Sequence, residues 1–445
     1  MNPYAARRAR LIAQMHAKGG GVAILGTAPE AQRNSDADYP YRHDSSFYYL
    51  TGFAEPEAVV VLVAGAVNQS LLFCRDKNPE REIWDGFRYG HEQARTTFGF
   101  DATYCIDAID TVIPDLLANV PALFYALARH ATLDAQIQKW LQKVRAQSRL
   151  GIAAPTASHD ITGIVNDMRL MKDDSEIAIM RRAADISSVA HARAMRATVP
   201  GLREYQIEAE LLHEFRRHGS DFPAYTSIVA TGANACVLHY RAGSAVTLDG
   251  DLVLIDAGCE LDGYASDITR TYPANGHFSA AQKTLYQIVL DAQQAAFAAT
   301  GPGKRFVDGH DAAVRVLAQG MLDTGLLDSG KVGTLDDVIA SGVYRQFYMH
   351  RTGHWLGMDV HDVGGYHEVG EAENDKGDKP SRILHPGMTL TVEPGLYVRP
   401  AAGVPEEFWH IGIRIEDDVT ITASGIDILS SAPKTITEIE AVMAR

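Results

Sequence analysis

The 445-residue chain has only four cysteines, Cys74, Cys105, Cys236 and Cys259, and no two of them form a CxxC pair. So few, so spaced, do not make a disulfide framework, and a reducing compartment, the cytoplasm, is the simplest expectation. No apolar run approaches the roughly 18 residues that a bilayer span needs, so no membrane partner is expected. The opening MNPYAARRARLIAQMHAKGGG carries basic residues but no apolar stretch before a small-residue cleavage site. It is expected as a surface amphipathic helix rather than a signal peptide. No long basic run stands out either, and 56 acidic residues against 41 basic ones give a net charge of −15. Nucleic acid is therefore not expected as a partner. Acidity alone names no function, because a solvated surface accounts for it.

What is present is enough apolar sequence for more than one core, since 445 residues exceed an ordinary single domain. The first third alternates strand-like and helix-like segments. GVAIL at Gly21–Leu25, AVVVLV at Ala58–Val63, SLLFC at Ser70–Cys74 and ALFYAL at Ala122–Leu127 read as strands. Asp110–Leu117 and Leu133–Gln147 read as helices between them. This is an α/β domain, taken as 1–168, with the second domain as 169–445. The second opens on a capping signature, Asp173 with Glu176 three residues later, before a long helix that stops at Val199-Pro200-Gly201. A second helix is expected at about Arg203–His218, then hairpin-like strands, helices near Ala280–Thr300 and Phe306–Thr324, and a strand-rich end. No short sequence repeat is visible, and the polar run Glu371–Lys379 is expected as an exposed loop.

The chemistry gathers in the second domain. Asp256 closes the apolar run Leu252–Ile255, and Asp267 lies eleven residues on, past the Asp262-Gly263 turn signal. A hairpin centred between Leu261 and Asp262 would set the two aspartates directly opposite each other, an arrangement that is destabilising without a purpose. The plainer alternative makes one a turn-capping Asp and the other a surface residue. Glu393 closes the run Met388–Val392, and in IGIRIEDDV the isoleucines 411, 413 and 415 alternate with Gly412, Arg414 and Glu416. Alternation puts Arg414 and Glu416 on one face. His350, His354 and His361 fall within twelve residues between these carboxylates; a lone histidine there would more often be packed core. If the four carboxylates converge, each pair about 4 Å apart repels by roughly 1 kcal/mol in water and about 4 kcal/mol at an effective dielectric of 20. Two divalent ions balance four such charges, and an oxygen-rich set with one imidazole suits Mn, Co, Fe or Zn. Spacing alone does not establish the convergence.

LVLIDAGCELDGYASDITRTY, HWLGMDVHDVGG, TVEPGLYV and IGIRIEDDVTIT resemble the metallopeptidase family of methionine aminopeptidase, prolidase and Xaa-Pro aminopeptidase, with its pita-bread catalytic domain. The family's ligand pattern of Asp, Asp, His, Glu and Glu falls in order on Asp256, Asp267, His354, Glu393 and Glu416. RNSDADYPYRHDSSFYYLTGF, EIWDGFRYG, MRLMKDDSEIAIMRRAADIS and ACVLHY extend the likeness over nearly the whole chain, to the bacterial Xaa-Pro aminopeptidase subgroup. The resemblance implies a creatinase-like α/β N-terminal domain and an α+β pita-bread domain. It implies two divalent ions, Mn(II) first with Co, Fe or Zn open, bridged by Asp267 and Glu416 and by the hydroxide that attacks. The substrates it implies are peptides with proline in second position.

By the same resemblance Glu393 moves the proton, and His239 and His361 steady the substrate carbonyl or oxyanion. Tyr397 and Arg414 hold the residue after the scissile bond, with His350 beside them. Asp36, Trp84 and Arg149 of the N-terminal domain would serve the substrate of a neighbouring subunit in a homotetramer, a dimer of dimers. In simpler terms His239 caps a strand, Trp84 is a packed aromatic, and Asp36 pairs with Arg149. Two rival functions share the pattern: a prolidase confined to Xaa-Pro dipeptides, and a catalytically silent pita-bread module that binds peptides.

Overall fold

Two β-branched runs, Gly21–Gly26 and Val59–Ala64, pair antiparallel with Val22 opposite Val63 and Ile24 opposite Val61. They are the middle of a six-stranded mixed sheet in the order Ala102–Cys105, Gln69–Cys74, Val59–Ala64, Gly21–Gly26, Ala122–Phe124, Ala157–His159. Helices Ile109–Leu117 and Ala131–Arg145 bury Ile113, Leu117, Ile137 and Trp140 against Val22, Ile24, Val61 and Phe73 of that sheet. The run ALFYAL gives a strand of only three residues. Tyr125 continues the chain out of the sheet, its hydroxyl donating to Asp134 at 2.6 Å.

The opening helix, Pro3–Ala17, starts on Asn2, whose side chain accepts from Tyr4 N, and buries Leu11, Ile12 and Met15. It departs from a simple surface helix at Arg7 and Arg8, which are buried as well. Arg8 donates to the carbonyls of Leu50 at 3.0 Å, Phe98 at 2.9 Å and Gly99 at 2.6 Å. Those carbonyls lie at or next to the C-terminal ends of the helices Ser45–Thr51 and Gly90–Phe98, where backbone acceptors lack partners and a cation is favoured.

These elements belong to a computed structural model that describes residues 2–373, 377 and 379–444. The chain divides into two compact units, Met1–Arg169 and Leu170–Arg445. Within the polar run Glu371–Lys379, residues 374–376 and 378 lie outside the described residues; Glu371, Ala372 and Glu373 are exposed and without regular structure. Among the described residues no helix is long and apolar enough to cross a membrane, and all four cysteines are free.

In the second unit a helix pair followed by a three-stranded antiparallel sheet occurs twice. The first pair is Asp174–Ala197, opened by the complete Asp173–Glu176 capping box, and Glu204–Arg217. Its sheet holds Ile228–Thr231, Leu252–Asp256 and Thr269–Pro273. The second pair is Ala280–Ala299 and Phe306–Asp323, and its sheet holds Thr389–Val392, Asp417–Ile421 and Ile426–Ile428. Ala183, Met195, Leu211, Val253, Ile255, Tyr286, Leu317 and Ile413 share one buried core. The repeat is one of architecture, carried by packing rather than by matching residues.

The hairpin register differs from the one read off the sequence. Leu261 pairs with Tyr264 and Glu260 with Ala265, so Asp256 stands opposite Thr269, not Asp267. The cause is the turn. Asp262 and Gly263 both take positive φ, 49° and 81°, which makes a two-residue loop of the kind Asp-Gly favours and moves the pairing by two residues. Close approach governs a second glycine. A Cβ on Gly353 would lie 2.1 Å from the carbonyl oxygen of Thr391, so the segment that carries His354 reaches the Thr389–Val392 strand only because residue 353 has no side chain. Gly353→Ala should destabilise the protein by about 1–3 kcal/mol, the usual cost of overpacking, read as a lowered thermal midpoint of the purified variant.

Candidate active site

The strand ends of the second unit deliver their carboxylates to one cavity of about 1270 Å³. Asp256 closes Leu252–Asp256, Asp267 stands two residues before Thr269–Pro273, and Glu393 follows Thr389–Val392. Glu416 sits between Ile411–Arg414 and Asp417–Ile421. Ile411, Ile413 and Ile415 turn into the core, while Arg414 and Glu416 line the cavity, as a two-residue period requires.

Asp267, His354 and Glu416 bring one ligand atom each within 4.8 Å of one another. His354 Nε2 stands 3.3 Å from Asp267 Oδ2 and 3.7 Å from Glu393 Oε1. Its Nδ1 lies 2.9 Å from the Trp355 carbonyl; a proton held there orients the ring and turns Nε2 toward the carboxylates. Asp256 joins through Tyr225, whose hydroxyl is 2.6 Å from Asp256 Oδ1 and 2.5 Å from Asp267 Oδ1. Arg414 donates to the other Asp256 oxygen at 2.5 Å, to Thr269 Oγ1 at 3.0 Å and to the Tyr397 hydroxyl at 3.0 Å.

Burial and mutual repulsion dominate the electrostatics. Burial, then the charge of Asp256, raises the Asp267 carboxyl. Burial pushes Glu393 up to about 7 against the pull of His354 and Arg414. Glu416 is held well above the usual carboxylate range by burial and by Asp267 and Glu393. Burial works against charge on His354, but its hydrogen bond to Asp267 and the nearby Glu393 prevail and lift it to about 9. His350, buried and facing Arg414, falls to about 3. His361 is lowered by burial and then by His354, whose ring it meets edge-on at 4.3 Å. The carboxylate cluster thus favours the arrival of positive charge. Four carboxylates and one outward-facing imidazole nitrogen fit hard to borderline divalent ions.

Of the remaining expected residues, His239, His350, His361 and Arg414 line the cavity. Tyr397 does not. It is buried behind the wall, its hydroxyl 2.9 Å from His350 Nε2, so it braces His350 and Arg414 from the rear. Asp36, in the turn between Gln32–Asn34 and Ala37–Asp38, Trp84, in the helix Pro79–Asp85, and Arg149 are exposed residues of the first unit. Trp84 is 84% exposed, not a packed aromatic, and no ion pair joins Asp36 to Arg149 among the described residues. Three further groups that no sequence pattern singled out take part: Thr269, Asp418 and Tyr225. Thr269 donates to Glu416 Oε2 at 2.5 Å, and Asp418 accepts from Asp267 N at 3.1 Å. Thr269 was recoverable, standing two residues from Asp267. Tyr225 lies in no pattern that marks it.

Residues 178–423 match the model of Metallopeptidase family M24, and residues 4–125 match that of the Aminopeptidase P N-terminal domain. The chain belongs to metallopeptidase family M24. Within this family it is similar over its full length to Xaa-Pro aminopeptidases and, at 32% identity over 472 residues, to the human Xaa-Pro dipeptidase. The Escherichia coli Xaa-Pro aminopeptidase is 44% identical over 440 residues, 98% of this chain and 96% of that one. The structure of Pseudomonas aeruginosa aminopeptidase PepP is similar with a TM-score of 0.94 and 47% identity, covering 99% of this chain and 97% of that one. Zinc-substituted E. coli aminopeptidase P in complex with product has a TM-score of 0.92 and 42% identity, with the same coverage. The paired helix-and-sheet halves of this M24 member are the pita-bread fold, and its N-terminal unit is the aminopeptidase P type of α/β domain.

The shifted groups set a sign for stability. His354, raised from 6.5 to about 9, stabilises the fold below its unfolded value, and that contribution is lost as pH rises through 9. Below about 6.5, His350 and His310, lowered to about 3 and about 4, act in the opposite sense and blur the trend. The thermal midpoint of metal-free protein should therefore fall between about pH 6.5 and 9. Added Mn(II) should raise it most at the alkaline end, and calorimetry across that window measures both.

Proposed function

We propose that the protein removes the N-terminal residue from peptides whose second residue is proline, as a dinuclear-metal Xaa-Pro aminopeptidase. The observation that carries this reading is the gathering of Asp256, Asp267, His354, Glu393 and Glu416 on one cavity with Arg414, in a chain whose first unit is of the aminopeptidase P type. Asp267 and Glu416 would be shared between the two ions, with Asp256 completing one position and His354 with Glu393 the other. Mn(II) is the first candidate, ahead of Co, Fe or Zn. When bound, the ions supply a Lewis acid for the scissile carbonyl and lower the pKa of the attacking water.

The chain's own residues do the rest. Glu393, on the cavity wall, takes the proton of the attacking water and passes it to the proline nitrogen as the bond breaks. His361 and His239, on the cavity wall, donate toward the carbonyl oxygen as negative charge grows on it. Arg414, fixed by Asp256, Thr269 and Tyr397, and His350 hold the far side of the scissile bond. Proline's nitrogen carries no hydrogen before cleavage, so recognition rests on shape and on the carbonyls around it. The domain of residues 1–168 would serve oligomerisation and lend Asp36, Trp84 and Arg149 to a neighbouring subunit's substrate in a cytoplasmic homotetramer. The free cysteines and the exposure of Trp84 support that picture.

Gly-Pro-Gly tests the substrate class. Release of free glycine, lost on chelation and restored by Mn(II), is the expected outcome. An intact tripeptide with cleaved Ala-Pro would instead indicate a prolidase, and full activity in rigorously metal-free protein would remove the metal from the reaction.

The role across subunits has its own test. Trp84→Ala should weaken Xaa-Pro cleavage with the metal content unchanged. Mixing it with Asp267→Ala under subunit exchange should recover part of the activity, since mixed oligomers set an intact Trp84 beside an intact metal site. A fully active monomer, or no recovery despite demonstrated exchange, would refute that role.

A further inference from the structure

Glu204 is fully buried, 0% exposed, at the first position of the helix Glu204–Arg217. It has no Lys, Arg or His ion-pair partner among the described residues. An unpaired buried carboxylate is costly unless its lone pairs are filled, and here they are filled from a single stretch of chain. Oε1 accepts from Thr231 N at 3.0 Å and Asn234 Nδ2 at 2.9 Å. Oε2 accepts from the Tyr240 hydroxyl at 2.9 Å and from Gly243 N at 3.0 Å. The positive end of its own helix adds a fixed dipole. Asn234 also donates to the Tyr240 hydroxyl at 3.0 Å, which closes the network.

The four donors bracket a loop that is tied elsewhere at Cys236, whose carbonyl accepts from Arg399 at 2.6 Å, and at Gly243, whose carbonyl accepts from Tyr205 N at 3.2 Å. Val237 and His239 within it are exposed, and they follow the short turn Gly232–Cys236. Leu238, His239, Tyr240 and Arg241 of this loop line the cavity. Glu204 itself is not among the residues lining the cavity. Its carboxylate anchors the start of the segment at Thr231, its middle at Tyr240 and its end at Gly243, and so sets where His239 stands.

We infer that Glu204 is a positioning residue: its buried carboxylate holds the 231–243 segment so that His239 faces the scissile carbonyl. This rests on the aminopeptidase reading given above. Its effect on turnover must then pass through His239, which a double-mutant cycle detects. Glu204→Gln keeps the shape but replaces one acceptor oxygen with a donor that faces two donors. In metal-loaded protein, Glu204→Gln should lower kcat about tenfold or more, with KM and metal content nearly unchanged. In a His239→Ala background the same change should cost little further. Tyr240→Phe removes one donor and serves as the milder variant if Glu204→Gln folds poorly; it should show a smaller loss with the same lack of additivity.

Hydrogen exchange reads the hold without any turnover. In Glu204→Gln the amides of 237–244 should exchange faster, while those of Leu252–Asp256 keep their wild-type protection. Additive losses in the cycle, or unchanged exchange in the loop, would overturn the proposal. A wild-type protein that binds metal but leaves Xaa-Pro peptides uncut would overturn the aminopeptidase reading instead. The exchange result tells the two failures apart.

Discussion

Four carboxylates facing one cavity repel each other, and that repulsion sets the terms for everything around them. Burial first, and then the charge of neighbouring carboxylates, raises the proton affinities of Asp267, Glu393 and Glu416. The chain does little to relieve the strain from within. One guanidinium, Arg414, reaches Asp256, and the imidazole of His354 reaches Asp267 and Glu393, with the His350 ring 3.8 Å from the other Glu393 oxygen. A cluster left so under-neutralised is poised to exchange protons for cations. The same imbalance that makes the site expensive to fold makes it selective for doubly charged ions.

The wall that bears this charge is backed by buried ion pairs. Arg270 and Asp417, both buried, meet at 2.6 Å, and Lys434 reaches the second Asp417 oxygen at 2.6 Å. Arg270 also donates to the backbone carbonyl of Glu416 at 2.6 Å, which fixes the strand on which a site carboxylate rides. Lys172 and Asp362 form another buried pair at 2.9 Å, next to His361 in the chain. Breaking one partner of such a pair strands a buried charge, typically at a cost of about 3–5 kcal/mol.

Local chemistry was the part legible in the residues. The Asp173–Glu176 capping box, the stop at Val199-Pro200-Gly201 and the isoleucine alternation before Glu416 each act over a few positions, and each stands where its pattern put it. Errors arose where a longer relation decided the outcome. Asp256 and Asp267 are not opposed, because the two-residue Asp262-Gly263 turn reset the register. Tyr225 stands between both aspartates although no spacing connects it to them, for its placement comes from tertiary packing. Arg7 and Arg8, on the helix expected at the surface, are buried because carbonyls near the ends of other helices accept from them. Tyr397, expected at the residue after the scissile bond, lies buried with its hydroxyl on His350 and Arg414.

The doubled architecture of the second unit bears on how it folds. Asp256 and Asp267 come from the first helix-and-sheet half, and His354, Glu393 and Glu416 from the second. An ion gripped by Asp256 or Asp267 together with Glu416 would act as a removable cross-link over some 150 intervening residues. A covalent tie closing a loop of about 100 residues removes roughly 4.7 kcal/mol of chain entropy from the unfolded ensemble. A metal tie works in the same direction to the extent that it binds only the folded chain. The ions would then be a staple between halves that already share one buried core, as well as a reagent.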